Sequence, residues 1–290
     1  MEESLMIRGR QVTPDDLTFI QTLIQNHWLK GRKFISRELC HHWQWYQPNG
    51  YLKDMASREL LLRLERRGLI QLPPRRNPAY NERRNRMPSV VKTTETPLEG
   101  ELSQFGPLEL KMVRHTPLEP LYNSLIQRYH YLGYRQIVGA HLKYTASLDG
   151  QVVACLGWGS PAWRVACRDR FIGWSDQIKE QNLHKIAQNN RFLILPYVKI
   201  SHLASKVLAL NIKHIRMDWP KYYGHPLCLL ETFVDQSRFK GTSYKAANWL
   251  YVGQTKGFTK KGNVSLYHGI IKDVYLYPLV NHFRRALLNR

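Results

Sequence analysis

A chain of 290 residues is long enough for one large domain or for two smaller domains, each with its own core. The 43 lysine and arginine residues against 22 aspartate and glutamate residues give a formal charge of +21, which favours nucleic acid as a partner over an acidic protein or a membrane surface. Four cysteines without a C-x-x-C pair argue against a zinc ribbon or a disulfide framework, and the lack of an apolar signal or membrane-length segment predicts a cytoplasmic protein without membrane contact.

Residues 1–72 are predicted to form a winged helix-turn-helix domain. Apolar residues at helical spacing indicate a first helix over residues 14–28, a second over 36–45 and a third over 52–67. A strand pattern at 69–72, with the PPRR segment after it, would form the wing, and the basic third helix would enter the major groove of DNA. The DNA contacts expected from the third helix are Lys53, Arg58, Arg63, Arg66 and Arg67. The alternative is a three-helix unit whose basic face is merely solvated.

Residues 73–107 are predicted to form a linker. Prolines recur in this segment, apolar residues are sparse, and arginines are concentrated in RRNPAYNERRNR. Such a segment can lie along a phosphate backbone. The phosphate contacts expected from it are Arg75, Arg76, Arg83, Arg84 and Arg86.

Residues 108–290 are predicted to form a second domain with a mixed sheet. Strand and helix patterns alternate along it, which is typical of α/β architecture. Two strand patterns are joined by Asp149 and Gly150, a pair that strongly favours a hairpin turn. Residues 163–174 are predicted to be strand or loop, and residues 191–198 to be a buried strand.

An apolar strand predicted over residues 227–234 contains Glu231 and is followed by Asp235, although burial penalises a charge that has no partner. Carboxylates, often with a histidine, hold Mg²⁺ or Mn²⁺ in enzymes that cleave or transfer phosphodiesters. Along one strand these two residues are separated by about 13 Å, so a shared ion requires a carboxylate from another element. The predicted metal ligands are Asp218 and Glu231, and the further catalytic candidates are Asp235, Asp169 and His130. The alternative is that Glu231 and Asp235 form caps or salt bridges around an ordinary core strand.

Tryptophans among basic residues favour a second interpretation, in which the domain binds unpaired bases without catalysis. The protein would then be a recognition adaptor for a partner helicase or nuclease. The tryptophans concerned are Trp158, Trp163, Trp174, Trp219 and Trp249, and Lys245 and Lys256 are added as phosphate contacts. The alternative is that these tryptophans belong to the core.

Six segments occur in the order YHYLGY, RDRFIGW, NNRFLILPYV, DWPKYYGHP, LLETFVD and GTSYKAANWLYVGQTKGF. In this order they resemble the DruA domain family, from about residue 108 to the C-terminus. Members of that family occur in the Druantia anti-phage defence system and beside or within transposon genes. The resemblance implies a DNA-binding protein of anti-phage defence or of a mobile element, with other proteins of that system as partners.

The predicted hairpin, the strand RFLILPYV that leads into HLASKVL, and a later helix over NWLYVGQTKGF are similar to the plan of GNAT acyltransferases. That similarity implies an acyltransferase that modifies DNA or protein. Its pyrophosphate site would be the backbone N–H groups of His202 to Ser205, and its general acid Tyr244 or Tyr251. The strand-to-helix turn reads YVKISHLAS and lacks the glycine-rich loop that brings N–H groups onto phosphate. Acetyl-CoA is therefore not expected.

Overall fold

The computed structural model describes residues 5–7, 10–47, 50–75, 87–261 and 264–288. The chain forms two compact units, Met1–Arg83 and Arg84–Arg290. Each unit has its own buried apolar cluster or clusters. Four predicted phosphate contacts, Arg76, Arg83, Arg84 and Arg86, lie outside the described residues.

The N-terminal unit contains a short hairpin followed by three helices. Its elements are β1 Leu5–Ile7, β2 Arg10–Val12, α1 Pro14–Asn26, α2 Arg32–His42 and α3 Asp54–Arg66, with a short 3₁₀ turn at Trp28–Lys30. The α1 helix begins at a capping box, in which Thr13 accepts the N–H of Asp16 and the carboxylate of Asp16 accepts the N–H of Thr13. The helices bury Ile20, Leu39 and Leu60 against one another. The three predicted helices are confirmed.

Two local predictions for this unit are wrong. The second helix, predicted to begin at residue 36, begins at Arg32, and Ser36 lies inside it and donates its hydroxyl to the carbonyl of Lys33. The predicted strand at 69–72 has no strand pairing among the described residues. Its Leu72 is buried in the core and donates its N–H to the carboxylate of Glu65 at 3.1 Å. The N–H of Leu72 is thus bonded to a side chain of helix α3 rather than to a partner strand. The winged-helix assignment stays a prediction.

The C-terminal unit is a mixed α/β domain. Its elements are β3 Leu98–Glu101, β4 Glu109–Met112, α4 Glu119–Tyr129, β5 His141–Leu148, β6 Gln151–Gly159, α5 Ala166–Ile172, α6 Asp176–Asn182, β7 Ile186–Ile194, β8 Val198–Ser201, α7 Leu203–Tyr223, β9 Leu229–Asp235, α8 Thr242–Ala246, β10 Leu250–Gln254, β11 Phe258–Lys261, β12 Val264–Tyr267, β13 Lys272–Pro278 and α9 Phe283–Leu288. Short 3₁₀ turns occur at Leu102–Gln104 and Leu183–Lys185.

Seven strands form the main sheet in the order β10-β13-β9-β7-β6-β5-β4. Only the β7–β9 neighbours in this sheet are parallel, and the others are antiparallel. The hairpin predicted from Asp149 and Gly150 is confirmed: both residues have positive φ, 47° and 79°, as a tight two-residue turn between twisted strands requires. The predicted mixed sheet is therefore confirmed.

Other elements differ from the prediction. Residues 163–174, predicted to be strand or loop, contain helix α5, which ends at Gly173 in the left-handed conformation. The buried strand begins at Ile186 rather than at residue 191. Strand β7 pairs with β6 on one side and with β9 on the other, so the backbone of its polar residues is hydrogen-bonded within the sheet. The segment predicted as a late helix contains β10, which pairs with β13. Within the predicted linker, β3 pairs in parallel with β8.

Successive residues of β9 contact different layers of the domain. Leu230 and Val234 belong to the apolar cluster that contains the α4 and α7 side chains, whereas Leu229 and Phe233 pack with α5 and α9. Because alternate residues of a strand point to opposite faces, Glu231 points to the α5 face. In the part of the chain that the structure describes, no helix has the length and apolar character to cross a membrane.

Candidate functional site

A cleft of about 550 Å³ opens where β7 and β9 part. The two strands pair in parallel from Ile186 with Leu229 to Asn189 with Thr232, and both continue beyond that point without pairing to each other. The cleft lies at the carboxyl ends of this parallel pair, the position at which open α/β sheets bind their ligands. It is therefore the first candidate for a functional site.

The floor of the cleft is a closed hydrogen-bond network. Tyr244 donates its hydroxyl to Oδ1 of Asn189 at 2.7 Å. The hydroxyl of Thr232 lies 3.1 Å from the carbonyl oxygen of Asn189 and 3.3 Å from the hydroxyl oxygen of Tyr244. The amide nitrogen of Asn189 donates to the carbonyls of Gly157 and Arg191. Burial raises the pKa of Tyr244, so this phenol keeps its proton. The network fixes the floor and leaves none of its side chains to initiate chemistry.

Asn190 and Arg191, the next two residues of β7, line the same cleft. Oδ1 of Asn190 is buried and accepts no hydrogen bond from the described residues. The guanidinium of Arg191 donates to the carbonyls of Gly133 and Asn190 at 3.2 and 2.7 Å. No carboxylate of the described residues lies within 4.0 Å of it. The guanidinium of Arg191 thus forms no ion pair with a described carboxylate, although Asp235 lines the same cleft.

His130 follows helix α4 and also lines the cleft. Its Nδ1 accepts the N–H of Leu132 at 3.2 Å, so the neutral ring has its proton on Nε2. Burial, with a further contribution from the charge of Arg191, lowers the pKa of His130 to about 4. At neutral pH this imidazole is uncharged and presents an N–H donor on Nε2, and its role as a catalytic candidate stays a prediction.

We expect the free energy of unfolding to fall as the pH drops from about 6.5, the ordinary histidine value, towards the pKa of about 4 of folded His130. Between these values the unfolded imidazole binds a proton that the folded one does not, so acid favours the unfolded state. Substitution of His130 by glutamine should remove this part of the pH dependence. The measurement is the urea midpoint of both proteins at about pH 7 and about pH 5. An equal fall of the urea midpoint in the two proteins would contradict the assignment of this pH dependence to His130.

The mouth of the cleft is aromatic and charged. Tyr131 and Phe239 are 39% and 51% exposed, and their ring centroids are 5.6 Å apart. The guanidinium of Arg238 lies 5.0 Å from the centroid of the Tyr131 ring. Asp235 lines the cleft as well, but its Oδ1 accepts both the N–H and the hydroxyl of Ser237. These bonds lower the pKa of Asp235. Its carboxylate thus stabilises the turn that follows β9.

Asp218 and Glu231, the predicted metal ligands, lie on opposite faces of the sheet. Oδ2 of Asp218, on α7, accepts the hydroxyl of Tyr144 at 3.1 Å within the α4 and α7 layer. Glu231 points to the α5 layer, where its Oε2 accepts Nη1 of Arg168 at 2.8 Å. The two carboxylates therefore cannot share one ion. Among the described residues, no group of three His, Cys, Asp or Glu side chains has metal-binding geometry.

Glu231 and Asp169 are brought together, but by an arginine that lies between them. Arg168 and Glu231 are both 0% exposed, and Arg168 also donates to Asp169 at 2.8 Å. Asp169 further accepts Nε1 of Trp174, and Lys179 lies 3.5 Å from it. Burial raises the pKa of Glu231, and the charge of Arg168 opposes that shift. The arrangement attaches α5 to the central strand.

Some of the predicted DNA contacts form ion pairs within the protein, and others do not. Arg58 and Arg63 pair along α3 with Asp54 and Glu59. Lys53 is half-buried at the start of α3. The predicted contacts that are exposed and form no ion pair with a described residue are Arg66, Arg67, Arg75, Lys245 and Lys256. Of the five tryptophans expected to stack on bases, only Trp163 is largely exposed, and the other four are core residues.

Asn190 and Arg191 were absent from the predicted site. Their signal in the sequence is a polar triplet, Asn189 to Arg191, directly before the apolar run FLIL. This is the same kind of signal that singled out Glu231, a polar residue within a buried strand. The strand predicted over residues 191–198 begins at the last residue of this triplet, so the sequence does not show the triplet as polar residues within a buried strand.

The hairpin, the mixed sheet and the strand that leads towards the long helix α7 define a mixed α/β domain. The family model described as Druantia protein DruA matches residues 63–264. The chain belongs to this family. No curated protein matches the sequence.

Solved structures similar to the chain include acetyltransferases. An N-acetyltransferase from Staphylococcus aureus Mu50 has 13% identity and a TM-score of 0.39, over 61% of this chain and 100% of its own. The ribosomal-protein-S18-alanine N-acetyltransferase from Escherichia coli has 11% identity and a TM-score of 0.35, over 59% of this chain and 94% of its own. A probable acetyltransferase from Staphylococcus epidermidis ATCC 12228 has 13% identity and a TM-score of 0.38, over 60% and 100%. Similarity at this level assigns no reaction to the chain.

Proposed function

We propose that the protein binds DNA and acts in anti-phage defence or in a mobile element. The family membership supports the setting. The observation that supports DNA binding is the pair of unneutralised arginines at the end of α3, on a chain with a formal charge of +21. Arg66 and Arg67 are exposed, and neither forms an ion pair within the described ranges. Free guanidinium groups on one helix are suited to phosphate contacts.

Replacing Arg66 and Arg67 together by glutamine should weaken duplex DNA binding roughly tenfold and lower the slope of log K against log salt by about two, one for each lost phosphate contact. Fluorescence anisotropy with a labelled duplex across a salt series measures both quantities. The matched control replaces Arg58 and Arg63 by glutamine, since it removes the same formal charge from guanidinium groups already paired with acids. A smaller effect is expected for that control.

Two outcomes would contradict this proposal. A binding constant that does not respond to salt would exclude an interface dominated by phosphate contacts. Equal losses in the two double variants would mean that α3 acts only through its overall charge.

Cleavage of the DNA is a separate proposal, for which Mg²⁺ or Mn²⁺ would be the ion. The carboxylates named for it do not fit a shared ion, because Asp218 and Glu231 point to opposite faces of the sheet. A non-catalytic adaptor for a partner helicase or nuclease needs no such site and agrees better with the satisfied carboxylates. Denaturing gels of labelled DNA with each ion and with EDTA separate the two, since an adaptor leaves the DNA intact.

A further inference from the structure

The cleft between β7 and β9 contains polar groups that the protein itself does not satisfy. Arg191 uses Nε and Nη1 for backbone carbonyls, and its Nη2 has no partner among the described residues. Oδ1 of Asn190, which lines the cleft, is buried and likewise without a partner in that part of the chain, as is the hydroxyl of Tyr122, which lies near Gly157 and outside the lining. Buried polar groups are almost always hydrogen-bonded, so the unpartnered Oδ1 of a residue that lines the cleft indicates a missing ligand or water.

Glycine at position 157 makes room for these groups. A Cβ atom there would lie 2.5 Å from the hydroxyl oxygen of Tyr122 and 2.9 Å from Oδ1 of Asn190. Both contacts are closer than a methyl group tolerates, and Tyr122 is fully buried. The backbone of β6 is therefore compatible with these polar groups only because it has no side chain at this position.

The remaining lining has the chemistry of a nucleotide. An uncompensated guanidinium suits a phosphate, which it can bind through two N–H groups. The amide nitrogen of Asn190 is a hydrogen-bond donor, which an acceptor atom on a base edge can match. Tyr131 and Phe239 expose aromatic surface at the mouth, on which a base can stack. Lys240 and Lys272 line the same cleft and would face neighbouring phosphates.

The size of the cleft agrees with this chemistry. A volume of about 550 Å³ is in the range of sites that enclose a small ligand. The neutral imidazole of His130 adds an N–H donor on Nε2, so a second donor can contact the same anionic group.

We infer that this cleft binds a single nucleotide, with its phosphate on Arg191 and its base on the amide of Asn190. The nucleotide is either an unpaired unit of a DNA strand, which rests on the proposed DNA binding, or a free nucleotide, which does not.

The test uses the full chain and two probes. The first is a single-stranded oligonucleotide with 2-aminopurine at one position, whose fluorescence rises when the base leaves the stack. The second is free dAMP, measured by calorimetry. The variants are Arg191→Gln, which removes the charge and keeps a polar side chain, and Asn190→Leu, which keeps the branched shape of the side chain without its polar atoms. The control is Arg135→Gln, which removes the same charge from an exposed residue outside the cleft lining.

Either cleft variant should weaken binding of the responding probe by about tenfold or more, because each removes hydrogen bonds to a ligand group. The control should leave it within about twofold. A fluorescence rise that dAMP suppresses identifies the DNA strand as the source. Binding of dAMP alone identifies a free nucleotide as the ligand. It supports nucleotide binding in the cleft even if the chain binds no DNA.

Three results would overturn the inference. One is DNA binding, seen by anisotropy, without a 2-aminopurine signal and without dAMP binding, which would leave the proposed function intact. Another is an equal loss in Arg135→Gln, which would reduce the effect to overall charge. The last is displacement of the probe by a poly-glutamate peptide as effectively as by dAMP, which would assign the cleft to an acidic protein.

Discussion

Replacing Arg168 by alanine should lower the free energy of unfolding of the C-terminal unit by about 3–5 kcal/mol, the usual cost of removing one partner of a buried ion pair. The substitution leaves Glu231 at 0% exposure with its charge uncompensated. It also removes donors to the carbonyls of Ala162 and Trp163. Hydrogen exchange of the β9 amides measures this unit within the full chain, and protection should fall at least about a hundredfold.

The pH dependence of the loss identifies its cause. Burial raises the pKa of Glu231, and removal of Arg168 takes away the charge that opposes this shift. Protonation relieves the buried charge, so the deficit of Arg168→Ala relative to the native protein should shrink as the pH falls. A deficit that is independent of pH would mean that lost packing, rather than an unpaired carboxylate, is responsible.

Two further variants complete this test. The double variant Arg168→Met with Glu231→Leu removes both charges and should be more stable than Arg168→Ala alone, because well-packed apolar residues can replace a buried pair. Lys199→Ala removes an exposed ion pair with Glu99 and should not change β9 protection measurably. If Arg168→Ala has no larger effect than Lys199→Ala, Glu231 does not depend on the pair, and its availability for chemistry has to be reconsidered.

Glu231 shows what local sequence patterns predict and what they do not. An apolar strand with an acidic residue is visible in LLETFVD, and the structure contains that strand. Whether its carboxylate is a ligand or a structural partner depends on Arg168, which is 63 residues away in the chain. Residues 163–174 gave no clear helical pattern, so no local signal placed Arg168 beneath the strand. The pairing is a property of tertiary packing.

Asp218 illustrates a second limit. It lies in the last turns of helix α7, which ends at Tyr223 before Gly224. Which face of the sheet that helix covers is not encoded in its own periodicity. The same holds for the tryptophans: Trp158 and Trp219 were expected at a binding surface and are buried, since aromatic residues in strands and helices pack wherever the layers meet.

Tyr244→Phe should lower the free energy of unfolding by about 1–3 kcal/mol, because it leaves a buried carbonyl oxygen without its donor. That oxygen is Oδ1 of Asn189, which accepts the Tyr244 hydroxyl at 2.7 Å. The phenol thus has a structural role at the floor of the cleft, whereas the GNAT similarity would make it a general acid. Burial raises its pKa, so the proton is held against release to a leaving group. Thermal and urea unfolding of the full chain measure the expected loss.

The matched control is Tyr251→Phe, which changes the other tyrosine named as a general acid. Tyr251 is 53% exposed, and its hydroxyl has no hydrogen bond among the described residues. Its loss should change stability by no more than about 0.5 kcal/mol. A double-mutant cycle with Asn189→Ala adds a second criterion: Tyr244→Phe should cost much less once Asn189 is gone, because the two substitutions remove the same bond. Independent effects would show that the loss does not come from the bond to Asn189, and the acyl-transfer role would regain its candidate.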